Sequence, residues 1–232
     1  MRIAIVGNGR MGKAIAALAE DQGHTIHTII TSDENVGGRA LSSTRLSGSD
    51  VAVEFTSPGA AVDNLEKLME LGIPTVTGTT GWYDALPRVA AWTRKHGGAL
   101  LHSPNFSVGV HLFLRTAREL AKLMKHRPEF AASIHEEHHS TKRDIPSGTA
   151  LMLQSQLAAC SPERTFPISS VREGSIPGTH TLSYDGPHEK ILLRHIAQDR
   201  GAFAAGALLA AQWLPGKTGV FTFEDILFGP TA

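Results

Sequence analysis

The sequence predicts an α/β protein in two parts: an N-terminal doubly wound parallel sheet, then an α+β domain built on an open mixed sheet. Two observations carry this. Up to residue 102, short β-branched runs alternate with segments of helical apolar spacing, the pattern of a parallel sheet with helices on both faces. After Asn105 the pattern changes to one longer helix and then to strand-like stretches with few helices to cover them. At 232 residues the chain can form two unequal domains, each with its own core.

The first run, Arg2-Ile3-Ala4-Ile5-Val6, is a strand that meets glycine at Gly7, and residues 11–19 then space their apolar side chains as a helix. Gly23 stops that helix, and residues 25–31 read as a second strand. A third, residues 51–55, ends at the turn signal Ser57-Pro58-Gly59. Residues 60–71 form a helix closed by Gly72, followed by a strand at 73–77, a helix at 84–96 and a strand at 99–102. The second domain opens with a helix over 110–124 and a strand whose alternation shows at Phe130, Ala132 and Ile134. A helix after Pro146 carries Ala150, Leu151, Leu153 and Leu157. Strands follow around Val171, at 179–184 and at 191–196. A helix at 206–213 and a closing segment at 219–223 return to the first domain. The expected domains are therefore 1–107 with 203–232, and 108–202.

Composition excludes several function classes. Lysine and arginine number 22, as do aspartate and glutamate, so no net charge draws the chain to nucleic acid or an anionic membrane. The single cysteine, Cys160, allows no internal disulfide and fits a reducing, cytoplasmic setting. No basic leader precedes the first apolar run, and no uncharged stretch is long enough to span a bilayer.

Gly7-Asn8-Gly9-Arg10-Met11-Gly12 is a complete G-x-G-x-x-G placed between the first strand and its helix. Each glycine has its own role there, since Gly7 turns the chain, Gly9 admits a pyrophosphate against the backbone, and Gly12 lets helix and strand pack closely. The helix N-terminus offers free N–H groups to phosphate. A glycine turn with no ligand is the alternative, and position and context together argue against it. The reading is a Rossmann-like domain that binds a dinucleotide. Asp33, just past the second strand, is the candidate for the adenosine ribose, whereas Arg10 and Arg39 suit a 2′-phosphate; NADH and NADPH both stay open. Gly78-Thr79-Thr80 after the fourth strand, Phe55-Thr56 after the third and Pro104-Asn105-Phe106-Ser107 after the fifth stand where strand ends meet a cofactor.

The densest chemistry lies at residues 137–150. Ser147 can cap the helix after Pro146, leaving the N–H groups of Gly148 and Thr149 free to receive a carboxylate. His138, His139 and Lys142 add proton donors and positive charge, which suits a dianionic substrate whose reduction needs a proton as well as a hydride. His135-Glu136-Glu137-His138-His139 also fits the H-E-x-x-H of zinc proteases, but that motif works on a helix and this segment alternates as a strand. No metal is expected. A solvated charged loop with incidental histidines is the bland alternative.

Here the sequence resembles the 4-hydroxy-tetrahydrodipicolinate reductases, also called dihydrodipicolinate reductases. The resemblance rests on Glu137-His138-His139, Lys142, Asp144 and Pro146-Ser147-Gly148-Thr149-Ala150. Gly9-Arg10-Met11-Gly12, Phe55-Thr56, Gly78-Thr79-Thr80-Gly81, Asn105-Phe106-Ser107-Val108-Gly109-Val110, Arg172-Glu173-Gly174, His180-Thr181, His195, Arg200 and Ala211-Gln212-Trp213-Leu214 extend it over nearly the whole chain. It implies NADH- or NADPH-dependent reduction of a cyclic imine dicarboxylate in lysine and diaminopimelate biosynthesis. It also implies a cytoplasmic homotetramer assembled through the second-domain sheet. His138 would be the proton donor with Lys142 as its partner, and His139, Lys142, Ser147, Gly148 and Thr149 would hold the substrate. Residues 7–12, 78–80 and 104–107 would hold the cofactor. The chain departs from the family by trimmed stretches at 32–49 and 172–180, and by Glu54 where aspartate is common.

Overall fold

The computed structural model describes residues 1–229. In chain order the first elements are β1 (Arg2–Val6), α1 (Arg10–Asp21), β2 (Thr25–Ile30), α2 (Ser43–Leu46), β3 (Val51–Glu54), α3 (Pro58–Glu70), β4 (Thr75–Thr77), α4 (Leu86–Lys95) and β5 (Ala99–His102). Then come α5 (Val108–Met124), β6 (Ala131–His138), α6 (Gly148–Cys160), β7 (Ile168–Arg172), β8 (Thr179–Asp185) and β9 (Lys190–Ile196). The chain continues through α7 (Gly201–Trp213), β10 (Gly219–Thr222) and α8 (Phe223–Phe228). Two compact units result, Met1–Ser107 with the segment from Gly201 onward, and Val108–Arg200.

In the first unit six strands lie in the order β10-β5-β4-β3-β1-β2, every pairing parallel. Order reverses at β1, so a crevice opens at the carboxyl ends of β1 and β3. The register pairs Val6 with Glu54, Glu54 with Thr77 and Thr77 with His102. The loops after β1, β3, β4 and β5 therefore leave the sheet at one level, which is what assembles a site from four distant segments. Alternation along β1 sends Ala4 and Val6 into a core with Leu65, Leu68 and Met69 of α3 and Val89 of α4. Ile5 faces the other way, towards Gly12 of α1. Gly7, at φ +99°, makes the turn into α1, and its N–H is held by the Ile30 carbonyl at 2.8 Å. Gly23, at φ +76°, ends that helix, as expected of a left-handed C-terminal residue.

The second unit is a four-stranded mixed sheet, β7-β6-β8-β9, in which β6 runs parallel to β7 and antiparallel to β8. One face is covered by α5 and α6, whose Phe113, Leu114, Ala117, Leu153 and Leu157 pack on Ala132, Ile134, Leu182 and Tyr184. The opposite face carries exposed Val171, Leu192 and Ile196.

Several elements depart from the sequence expectation. β4 begins at Thr75 rather than 73, because Pro74 has no N–H for the ladder. α7 begins at Gly201 rather than 206: Gly206 sits inside the helix because a Cβ there would meet the Phe106 carbonyl oxygen at 1.7 Å. The segment at 219–223 is a sixth parallel strand followed by α8. The short helices α2 and α8 have no apolar period to betray them, although the Thr222 cap on Asp225 is a readable start signal.

Candidate active site

The crevice at β1 holds a cavity of about 380 Å³ lined by Gly7, Gly9, Thr31, Ser32, Asn35 to Gly38, Phe55, Thr56, Asp63 and Asn64. A second, of about 270 Å³, is lined by Gly9, Arg10, Met11, Phe55, Thr56, Gly78, Thr79 and Thr80. Both share Gly9, Phe55 and Thr56. The three glycines of the loop separate by role. A Cβ on Gly12 would stand 1.9 Å from the Gly7 carbonyl oxygen, and one on Gly7 would stand 2.1 Å from that of Phe55; one on Gly9 would meet nothing within 4 Å. Gly7 and Gly12 are thus required by packing, whereas Gly9 keeps open space at the start of α1, which has no side-chain cap. Open space, uncapped N–H groups and helix dipole fit a pyrophosphate.

Below the cavities the carboxyl group of Glu54 is fully buried. It accepts hydrogen bonds from Thr77 Oγ1 at 2.6 Å and from Thr56 Oγ1. Thr79 Oγ1 in turn accepts from the Thr56 N–H at 2.8 Å. Gly78 is small because a Cβ there would fall 2.1 Å from the Phe55 ring. Pro104, Asn105, Phe106 and Ser107 line neither cavity. Phe106 is a core residue, its ring 5.1 Å from Phe223 and 5.9 Å from Phe55, while Ser107 N–H donates to Asn105 Oδ1 at 2.8 Å. Asn8 is exposed at the turn. Asp33 lies outside the cavity lining; Ser32 and Asp63 are inside it. Arg39 is turned onto the Val36 carbonyl at 3.1 Å, and Glu34, next to Asp33, is locked to Arg45 at 2.8 Å.

In the second unit, His138 ends β6 with its side chain on the buried face. Its Nδ1 lies 3.3 Å from Oε2 of Glu136, two residues back on the same face. The other Glu136 oxygen accepts from Ser147 N at 3.0 Å, Ser170 Oγ at 2.8 Å and Arg172 Nη2 at 2.8 Å. Burial by itself would raise the Glu136 pKa, but the hydrogen bonds of Ser147, Arg172 and Ser170 outweigh it and hold the group at about 2. Desolvation keeps His138 below the ordinary histidine value, with Glu136 pulling the other way. His180 on β8, its ring 5.1 Å from that of His138, is pushed by burial to about 4.

Ser147 caps α6 by accepting from Ala150 N at 3.2 Å, which leaves Gly148 and Thr149 at the helix N-terminus. Lys142 Nζ reaches both oxygens of Asp144 at 2.8 Å. That pair, with help from the Gly148 N–H, holds Asp144 below its ordinary pKa. A carboxylate of the chain itself thus rests on Lys142 and the start of α6. His139 is half-buried, its Nδ1 2.7 Å from Thr141 Oγ1.

The acid that faces His138 is Glu136. Glu137 is on the opposite face of β6, 3.3 Å from Arg194 and 3.4 Å from His135. The signal was available: continuing the alternation of Ala132 and Ile134 puts Glu136 and His138 on the core side. The H-E-x-x-H histidines have separate partners, His135 Nδ1 lying 2.8 Å from Ser169 Oγ and His139 Nδ1 2.7 Å from Thr141 Oγ1, and neither belongs to the group of possible ligands found among the described residues. Glu136, His138 and His180 do bring one ligand atom each within 4.8 Å of one another, yet the cation that this carboxylate meets is the Arg172 guanidinium.

A dinucleotide crevice at a sheet switch point, with a buried histidine and an anion-receiving helix end in the following unit, defines an NAD(P)H-dependent oxidoreductase. Comparison with known proteins makes it specific. Residues 1–106 match the family description "Dihydrodipicolinate reductase, N-terminus" and residues 109–227 "Dihydrodipicolinate reductase, C-terminus". The chain is 35% identical to the 4-hydroxy-tetrahydrodipicolinate reductase of Christiangramia forsetii, over 98% of each chain. It is 33% identical to that of Thiobacillus denitrificans, again over 98% of each. The dipicolinate-bound dihydrodipicolinate reductase of Paenisporosarcina sp. TG-14 shares the fold, with TM-score 0.81 and 19% identity over 98% of this chain and 99% of that one. The chain belongs to the dihydrodipicolinate reductase family. It performs an NAD(P)H-dependent reduction in lysine biosynthesis. Among the described residues no helix is long and apolar enough to cross a membrane.

Proposed function

We propose that this protein reduces 4-hydroxy-2,3,4,5-tetrahydrodipicolinate to tetrahydrodipicolinate, with His138 as proton donor. The observation that carries the reading is the convergence, within residues 138–149, of a buried histidine with a lysine and a helix N-terminus that already receive one carboxylate, that of Asp144. A cyclic dicarboxylate needs all three. Lys142 and the N–H groups of Gly148 and Thr149 receive a substrate carboxylate, and His139 stands beside them. Loss of the 4-hydroxyl as water leaves a conjugated C=C–C=N system. The glycine loop, Phe55, Thr56 and residues 78–80 would hold NAD(P)H, which would supply the hydride for C4 and be oxidised to NAD(P)+. The resulting enamine then takes a proton from His138 on the carbon between C4 and the imine.

Asp33 is kept as a candidate for the ribose side of the cofactor; it directly follows Ser32, which lines the cavity. We further propose a cytoplasmic homotetramer that covers the bare face of the second sheet, where Leu192 is 59% and Ile196 58% exposed. Apolar side chains at that exposure mark a surface that meets a partner.

The test is to supply enzymatically generated substrate and follow absorbance loss from NADH and NADPH in parallel. Oxidation of either, with kcat reduced about a hundredfold or more in His138→Ala and KM little changed, is the expected result. Dinucleotide binding without turnover, or full kcat in His138→Ala, overturns the proposal.

A further inference from the structure

We infer that Glu136 is the positioning residue of the proton donor: it decides which ring nitrogen of His138 carries the fixed proton and ties that ring to the substrate-holding turn. The inference rests on the reading of His138 as the proton donor.

Glu136 has no exposure to solvent, and its two oxygens act separately. Oε1 takes three donors, from the Ser147 backbone, the Ser170 hydroxyl and the Arg172 guanidinium, at 2.8 to 3.0 Å. Three donors from two segments, the turn before α6 and strand β7, prevent the carboxylate from rotating, which leaves Oε2 3.3 Å from His138 Nδ1, with neither atom engaged by another hydrogen-bond partner. An ionised carboxylate only accepts, so an Nδ1 lone pair facing it is repelled and the Nδ1–H form is selected. Nε2 is then the nitrogen left for the exchangeable proton. Gly178 lies at that edge of the ring, where a Cβ would stand 3.1 Å from Nε2.

Around His138 the charged and titratable groups are Glu136 on its own strand, Arg172 on β7, His180 on β8, and Lys142 and Asp144 in the loop. Lys142 and Arg172 disfavour an imidazolium and Asp144 favours it, but Glu136 is the largest charge acting in its favour. His180 is also near Oε2, at 3.8 Å, and its Nε2 lies 3.2 Å from Ser147 Oγ. Because burial keeps His180 neutral, it does not neutralise the carboxylate. The Ser147 N–H on Oε1 means that one carboxylate orients both the donor ring and the first residue of the turn before Gly148 and Thr149.

The experiment is Glu136→Gln, read by pH profile and by nitrogen-15 NMR of the His138 ring, whose signals are assigned by their loss in His138→Gln. In the wild type the ring is expected as the Nδ1–H form. The Gln side chain retains an acceptor for Ser147, Ser170 and Arg172 but turns an amide donor towards Nδ1, so the tautomer should invert, the known consequence of placing an amide behind a catalytic histidine. Removing the negative charge should lower kcat about a hundredfold and displace the basic limb of its pH profile to lower pH by about one unit, with KM changed far less. Glu136→Asp, which keeps the charge, should restore the position of that limb. A wild-type ring in the Nε2–H form overturns the inference without any variant. So does a Glu136→Gln enzyme whose pH limb and ring signals are unmoved while His138→Gln has lost kcat. Full kcat in His138→Gln removes the proton-donor reading instead, whatever Glu136 does.

Discussion

Thr77 Oγ1, on β4, donates to Glu54 Oε2, on β3, at 2.6 Å, and both side chains are fully buried beneath the glycine-loop cavities. Glu54 also accepts from Thr56, which receives Asn64 at 3.4 Å; Asn64 receives Asn35 at 2.8 Å, and Asn35 Oδ1 takes the Ala40 N–H at 3.1 Å. The chain of polar groups joins the floor of one cavity to the loop at the far end of the other. Glu54→Leu leaves two hydroxyl donors without their acceptor. At about 1–3 kcal/mol for a buried group left unmet, and less for the partly buried Thr56, we expect a loss of roughly 2–4 kcal/mol in urea unfolding and weaker NADH binding by fluorescence titration. Glu54→Asp keeps an acceptor and should cost about 1 kcal/mol or less.

Gly9 and Gly12 should fail in different ways. Gly12→Ala drives a Cβ into the Gly7 carbonyl, and that backbone cannot move without disturbing β1, so the variant should be unfolded or lose several kcal/mol. Gly9→Ala meets no protein atom within 4 Å and should keep a stability within about 1 kcal/mol of the wild type. It should nevertheless bind NADH at least about tenfold more weakly, because the added methyl stands where the pyrophosphate approaches. Equal thermal shifts for the two variants would contradict this division.

Asp144 lies on Lys142 where a substrate carboxylate is proposed to bind. An exposed pair of this kind contributes about 0–1 kcal/mol, so Asp144→Asn should lower KM by up to about fivefold with kcat changed less. Steady-state kinetics decides. A raised KM would mean that Asp144 holds Lys142 in place rather than competing for it.

Acid should weaken the fold in two stages. His180 has a folded pKa of about 4 against 6.5, and Glu136 one of about 2 against 4.5. Both are depressed, so the unfolded chain binds more protons and stability rises with pH. The His180 contribution is complete above about pH 6.5 and lost towards pH 4; that of Glu136 is complete above about pH 4.5 and lost towards pH 2. Each amounts to about 3 kcal/mol at its limit. Urea midpoints should be flat from about pH 8 to 7 and fall below about pH 6, and His180→Gln should shrink the upper stage while leaving the part supplied by the lowered pKa values of His138, His102 and His195.

Leu192→Glu with Ile196→Glu places two charges on the bare face of the second sheet. Light scattering should show the assembly dissociating into smaller species while the circular dichroism of the helices is retained. An unchanged mass would exclude this face as the contact.

The sequence by itself determined the class of fold, the glycine loop and the segment from His138 to Thr149. All three are written in short-range signals: strand alternation, apolar helical spacing, glycines at a turn, a serine ahead of a helix. Those signals act through backbone sterics and local hydrogen bonds, so a few consecutive residues are enough to read them. Alternation along β6 already puts Glu136, and not its neighbour Glu137, on the face of His138. Only the tertiary structure decided what else meets that carboxylate. Arg172 and Ser170 reach Glu136 across the β6–β7 register, and His180 across that of β6 and β8. Likewise Ser32 and Asp63, rather than Asp33, line the crevice because the loop after β2 folds against α3 through Asn35 and Asn64. A strand pairing is set by the packing of whole elements, and no local pattern carries the register that makes residues more than thirty positions apart meet on one carboxylate.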